Sequence, residues 1–255
     1  MTKDKDNTND WDYWFEQFNY AYLTENDGII NSNWVVNTGW GSEGDVPETV
    51  EFRFKTEPAS TATPSSQSLW SLDSGTTVSA VLEYDTSLLT SGSFSGSTQN
   101  PNYKSGSLRL TTDDFATSTT LSLPFFDGGW WSVAISKDAT DRFTIRSANS
   151  IYSGSNGSSL GWEASSSFTS DPAGWVSSTI SYFPTAGRSV IGPGSDYVAF
   201  SGSYQEIRYY NTRISESAFK DYIMNPLSTE GNGINSAPNQ LAFRAALTHS
   251  NSAQF

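Results

Sequence analysis

FFDGGWWSVAISKDATDRFTIR, residues 125–146, reads as a turn, an alternating strand, a second turn and another alternating strand. Asp127-Gly128-Gly129 and Lys137-Asp138-Ala139-Thr140-Asp141 carry turn chemistry between the apolar alternations, so a hairpin is expected. GSYQEIRYYNTRISESAFKDYIMNP, residues 202–226, adds a strand, a short turn and one amphipathic helix. Ser215 stands where a helix cap belongs. Ala218, Phe219, Tyr222 and Ile223 share one helix face, and Asn225-Pro226 ends it.

Working outward, TVEFRFK at residues 49–55 places Val50, Phe52 and Phe54 on one face and Glu51, Arg53 and Lys55 on the other. Residues 69–72, 78–84, 107–110, 188–191 and 197–210 are further strand candidates. With Phe52 and Phe54, the residues Trp70, Val133, Ile135, Ile145, Ile207 and Tyr209 are expected to fill one core. Two long Ser/Gly-rich insertions, residues 86–103 and 152–185, interrupt the strands. Loops of that length usually have a function or local order of their own. The second carries Trp162, Phe168, Trp175, Tyr182 and Phe183, aromatics that either pin a loop to the body or face a ligand.

The strand beginning at Asp127-Gly128-x-Trp130, followed later by Gly202, Tyr204, Glu206-Ile207-Arg208 and Tyr209, then Ser215-Glu216 and Asn225-Pro226, resembles the concanavalin A-like lectin/glucanase jelly rolls in their laminin-G-like branch. The resemblance covers about residues 47–226. It implies an all-β, two-sheet antiparallel jelly-roll sandwich with one short C-terminal helix. Residues 1–46 then form an acidic, aromatic N-terminal segment, and residues 227–255 a linker, an extra strand and a polar tail. The string 204–226, with its Ser/Gly-loaded loops, is also similar to laminin-G-like domains of tailed-phage and large DNA-virus structural proteins. That resemblance implies a virion or extracellular setting, with other structural subunits or the remainder of a longer chain as partners. Such folds host lectins, glycan-cleaving enzymes and adhesion modules alike.

Composition narrows the choices. The 255 residues contain no cysteine, which excludes disulfide frameworks, thiolate metal sites and cysteine nucleophiles. The formal net charge of −13 disfavours nucleic acid, whose phosphates need clustered Lys and Arg. No apolar run of membrane-spanning length occurs. Only 36% of residues are hydrophobic but 14% are aromatic, so large rings must supply much of the core. The single histidine, His249, lies in the tail, which leaves no His-based triad or multi-histidine zinc site.

Glycosidases of this fold need two carboxylates flanking a cleft. No E-x-D-x-x-E-like motif appears. Glu51 and Glu83 lie on separate strands, Asp113 and Asp114 point apart, and Glu206 is expected to pair with Arg208 in a structural network. No cofactor is expected. Calcium is the one candidate ion, with Asp73, Asp127, Asp138, Asp141, Asp171 and Asp196 as oxygen donors, although none sits in a D-x-D-x-D-G loop. The function expected is therefore a non-catalytic structural or adhesion module binding glycan or protein, with Trp162, Trp175 and Tyr182 as ligand contacts. The alternatives are a glycan-active hydrolase or lyase of this fold, or a calcium-dependent lectin.

Two terminal elements point to assembly. Trp11, Trp14, Phe15, Phe18 and Tyr22 follow a helical spacing, and LAFRAAL at residues 241–247 reads as a strand with nothing after it to pair. Both suggest an oligomer or a longer protein, unless they fold back onto the sandwich.

Overall fold

A computed structural model describes residues 21–23, 29–32, 47–73, 76–90, 100–112, 117–152, 158–170, 188–191, 198–226 and 241–245. These form two seven-stranded sheets and one α-helix. The strands are β1 (Ala21–Leu23), β2 (Ile29–Ser32), β3 (Thr49–Thr56), β4 (Ser66–Asp73), β5 (Thr77–Glu83), β6 (Gly106–Thr112) and β7 (Ser118–Leu123). They continue with β8 (Trp130–Lys137), β9 (Arg142–Tyr152), β10 (Ser158–Thr169), β11 (Arg188–Ile191), β12 (Val198–Ala199), β13 (Gly202–Tyr210) and β14 (Leu241–Ala245). Helix α1 is Glu216–Met224, its first turn capped by the Ser215 hydroxyl, which accepts from the Ala218 N–H at 3.1 Å.

The first sheet runs β13-β3-β8-β9-β10, with β1 and β14 side by side along the free edge of β13. The second runs β2-β11-β4-β5-β6-β7, with β12 on β4. Pairing is antiparallel throughout except between β12 and β4. The chain is thus an all-β two-sheet sandwich with one short helix.

Alternation explains the core. Val50, Phe52 and Phe54 of β3 are fully buried, as are Trp131, Val133 and Ile135 of β8 beside them. They meet Trp70, Val78, Ala80, Leu82, Leu108 and Leu110 of the opposite sheet in one cluster. All eight expected core residues fall in that cluster, each at most 1% exposed. The polar ends of the core aromatics are satisfied across the sheets. The Tyr204 hydroxyl donates to the Leu69 carbonyl at 2.7 Å, and Trp70 Nε1 donates to the Tyr209 hydroxyl at 3.3 Å.

Three expectations are revised. The apolar stripe at residues 11–22 ends not in a helix but in β1, where Tyr22 pairs with Ser203; the rest of it lies outside the described residues. LAFRAAL is not a lone strand: β14 pairs with β13 of its own chain. The insertion at residues 152–185 is strand from Ser158 to Thr169, where β10 hydrogen-bonds along β9. Hydroxyls then join its outer edge to β7 of the other sheet. Thr119 bonds Ser166, and Thr117 bonds Ser170 at 3.3 Å. Serine-rich sequence reads as loop by composition, yet here serine supplies the seam between the sheets.

Candidate functional site

The surface of the described sandwich exposes only three large apolar side chains: Ile151, Trp162 and Val198. Two of them belong to a single irregularity in the edge strand. The β9–β10 register shifts between Leu160 and Glu163, so Gly161 and Trp162 together oppose Asn149. Asn149, itself buried, turns its side-chain oxygen to accept the Trp162 N–H at 2.7 Å, in place of the ladder bond the bulge removes. Glycine is required at 161 for a steric reason. A Cβ there would collide with the Asn149 oxygen and lie 2.6 Å from Ile151 Cγ1. The bulge, its glycine and its asparagine latch together present the Trp162 indole, 56% exposed, next along the chain to the glycine under Ile151.

Of the expected contact residues, the structure places Trp162 at the surface. Trp175 and Tyr182 lie outside the described residues. Of the adjacent pair Trp130 and Trp131, Trp131 fills the core and Trp130 faces out, with the Arg53 guanidinium 5.3 Å over its ring.

The carboxylates have other duties. Glu206 and Glu51 do come together, but beneath the surface, on the helix side of the first sheet. A register shift in β13 lets Gln205, Glu206 and Arg208 all face away from the core, with Glu206 in the left-handed region at φ 54°. Arg208 Nη1 lies 3.2 Å from Glu51 and Nη2 lies 2.9 Å from Glu206; Arg208 Nη2 also donates to the Pro226 carbonyl. Arg244 of β14 grips Glu206 in a two-point contact, 2.8 Å at each oxygen. The Tyr210 hydroxyl donates to Glu51 at 3.0 Å, and the Arg208 guanidinium stacks 5.0 Å over Tyr222 of α1. Glu51, Glu206 and Arg208 are all 0% exposed. Burial lifts the Glu51 carboxyl above its usual range, with Arg208 and the Tyr210 hydroxyl pulling the other way. Burial also draws Arg53 down to about 10, against the pull of Glu51. Two carboxylates on one guanidinium would interest an enzymologist, but no polysaccharide reaches them. The expected Glu206–Arg208 pair is present. Glu51 joins that pair although the alternation of its strand reads as a solvated face.

Other acids serve turns and ion pairs, of which Lys137–Asp141 is buried. Asp127 accepts from the Gly129 N–H at 2.7 Å and from Trp131 Nε1 at 3.1 Å, which fixes the turn into β8. Glu83 pairs with Arg109 at 2.6 Å, Asp141 with Lys137 at 3.0 Å and Asp138 with Arg213 at 3.1 Å. Among the described residues, no group of three acidic or histidine side chains could hold a metal ion. The side chains of Asp73, Asp171 and Asp196 lie outside them, as do Asp113 and Asp114. No described helix is long and apolar enough to cross a membrane.

No protein-family model matches the sequence, and no curated protein matches it. Solved structures similar to it include the enzymatically active domain of the bacteriophage CBA120 tailspike protein 2, at 15% identity and a TM-score of 0.45, covering 80% of this chain and 27% of that one. The CBM40 module of the Ruminococcus gnavus IT-sialidase is similar at 14% identity and a TM-score of 0.42, over 86% of this chain and 97% of that one. Domains LG4-5 of the mouse laminin alpha1 chain are similar at 13% identity and a TM-score of 0.39, over 79% and 43%. The chain thus spans about a quarter of the tailspike domain and nearly all of the CBM40 module.

Proposed function

We propose that this chain is a non-catalytic adhesion module that binds glycan at the Trp162 bulge, within a larger structural protein of a virion or extracellular assembly. One observation carries the glycan reading: an indole more than half exposed, on a strand bulge built to hold it there. A pyranose presents an apolar C–H face and a rim of hydroxyls. A fixed aromatic ring suits that face, because it loses little freedom on binding. The virion setting rests on the resemblance of residues 204–226 and on nothing in the site. The enzyme alternative has little support from the described carboxylates: Glu51 and Glu206 are sealed under helix α1 and β14, and the exposed pair Glu163 and Glu216 shares the Lys220 ammonium, at 3.0 and 2.7 Å.

Calorimetric titration of the intact chain with neutral oligosaccharides (gluco-, galacto- and manno-configured) tests the reading. At least one should bind. Trp162→Ala should weaken that binding at least tenfold while the thermal midpoint stays within a degree or two, because the side chain it removes is on the surface. Binding that survives the substitution, or turnover of any of these sugars, would overturn it.

A further inference from the structure

A groove of about 270 Å³ runs between helix α1 and strands β9 and β10, on the helix side of the first sheet. Arg146 of β9 lies between its two walls. Glu216, Phe219 and Lys220 of α1 form one wall, and Glu163 and Ser165 of β10 the other. Lys220 ties the walls together, with Nζ 2.7 Å from Glu216 and 3.0 Å from Glu163.

Arg146 is served differently. No described carboxylate pairs with it. Its one hydrogen bond is a 3.5 Å contact from Nη1 to the Ile214 carbonyl, and its Nε is buried without a partner. A guanidinium has five N–H donors, and burying the Nε–H without a partner carries a desolvation cost that a ligand oxygen would relieve. Burial draws its pKa below the ordinary arginine value, with Glu216 pushing back.

The charges in the groove balance, two cations against two carboxylates. An anion would gain Arg146 but meet Glu163 and Glu216, and a cation would face the reverse. A neutral polyol has no such conflict. Its hydroxyls accept from the guanidinium and donate to the carboxylates, while a ring face lies along the edge of Phe219. The volume falls just under the range of about 300–1,000 Å³ that drug-sized ligands fill, which suits one ring and not a chain.

We infer that this groove is a second glycan subsite, taking a single neutral hexose ring with Arg146 as its principal donor. The inference rests on the reading of the chain as a glycan binder, but on a separate surface from Trp162.

The test is an amide NMR titration of the intact chain with the methyl glycosides of glucose, galactose and mannose, with N-acetylglucosamine, and with glucuronic acid. At least one neutral sugar should shift the amides of Ser165 and Lys220 with millimolar saturation. Arg146→Met should weaken that response at least tenfold. Should that variant fold poorly, Ser165→Trp fills the groove from an exposed position and should abolish the response. Three results would overturn the inference: no neutral sugar shifts these amides, the response survives both substitutions, or glucuronic acid alone produces it. The bulge is read separately, at the amides of Trp162 and Asn149, so failure there is distinguishable from failure in the groove.

Discussion

The two faces of the first sheet are both buried, and they are buried by opposite chemistry. The face toward the second sheet is a close-packed set of rings and branched chains, with Phe54 set edge-on to Phe200 at 5.7 Å and Phe125 to Trp131 at 4.8 Å. The face toward helix α1 holds Glu51, Arg53, Glu206 and Arg208, with only a small apolar cluster around Tyr210, Phe219 and Tyr222. The first face is held by area and shape, which act without direction. The second is held by geometry, because each buried charge is stable only while its partners stay in place. The lesson is that burial does not say how an element resists change. The same strand, β3, contributes Phe54 to one regime and Glu51 to the other.

The largest effects should come from breaking each regime at its centre. Phe54→Ala should cost about 3–5 kcal/mol, the usual range for a buried aromatic and the cavity it leaves. Urea unfolding should show that cost unchanged from acid to neutral pH, since the titratable neighbour Tyr204, paired opposite Phe54, is kept protonated by burial. Arg208→Met should cost a similar amount, about 3–5 kcal/mol at neutral pH, because it leaves the buried Glu51 without a cation and takes from Glu206 one of its two arginine partners. Its pH dependence should differ. Without Arg208 the folded-state pKa of Glu51, already raised by burial, rises further above its unfolded value. Stability is then fully present at low pH and is lost as pH rises through that raised value. The Arg208→Met deficit should therefore shrink as pH falls toward the carboxylate range, while that of Phe54→Ala does not. Parallel deficits for the two variants at every pH would abolish the distinction between the faces.

This contrast also explains what could be read in the sequence. Val50, Phe52 and Phe54 are legible because alternation is local and their burial needs only a second sheet. Glu51 and Arg53 follow the same alternation, yet their burial depends on Arg208, α1 and β14. Arg244 closes over Glu206 from 38 residues further along the chain. No local pattern announces that. The turn chemistry of residues 127–129 and 138–141, the Ser215 cap and the Glu206–Arg208 pair were legible, since each is settled within a few residues. Strand β10 was not, because its serines make contacts with β7 that composition alone assigns to loops. Trp162 stands out as an aromatic in a Ser/Gly run. Its bulge does not, because the latch that holds it, Asn149, sits 13 residues earlier on another strand.

The smallest expected effect carries the comparison out to the rim of the sheet, where charge is half solvated. Asp138 opens the β8–β9 turn. One of its oxygens accepts from the Thr140 N–H at 2.9 Å, the Thr140 hydroxyl at 2.6 Å and the Arg142 N–H at 3.2 Å. The other faces Arg213 at 3.1 Å, and the carboxylate keeps 19% of its surface exposed. Partial burial works against its charge, but the Thr140 and Arg142 hydrogen bonds and Arg213 outweigh it, and its pKa lies below the ordinary aspartate value. A depressed folded-state pKa contributes stability above the unfolded value of about 3.9, and that contribution is lost as pH falls through the folded one. Asp138→Asn should therefore cost about 1 kcal/mol or less at neutral pH, in keeping with a solvent-screened pair and neutral hydrogen bonds that an amide oxygen can still accept. The two proteins should converge in acid, as for Arg208→Met, but from a far smaller deficit at neutral pH. Urea unfolding across that pH range reads the difference directly. A deficit near 3–5 kcal/mol would place this turn with Glu51 and Arg208, and a deficit that persists below the folded-state pKa would show that shape, not charge, holds it.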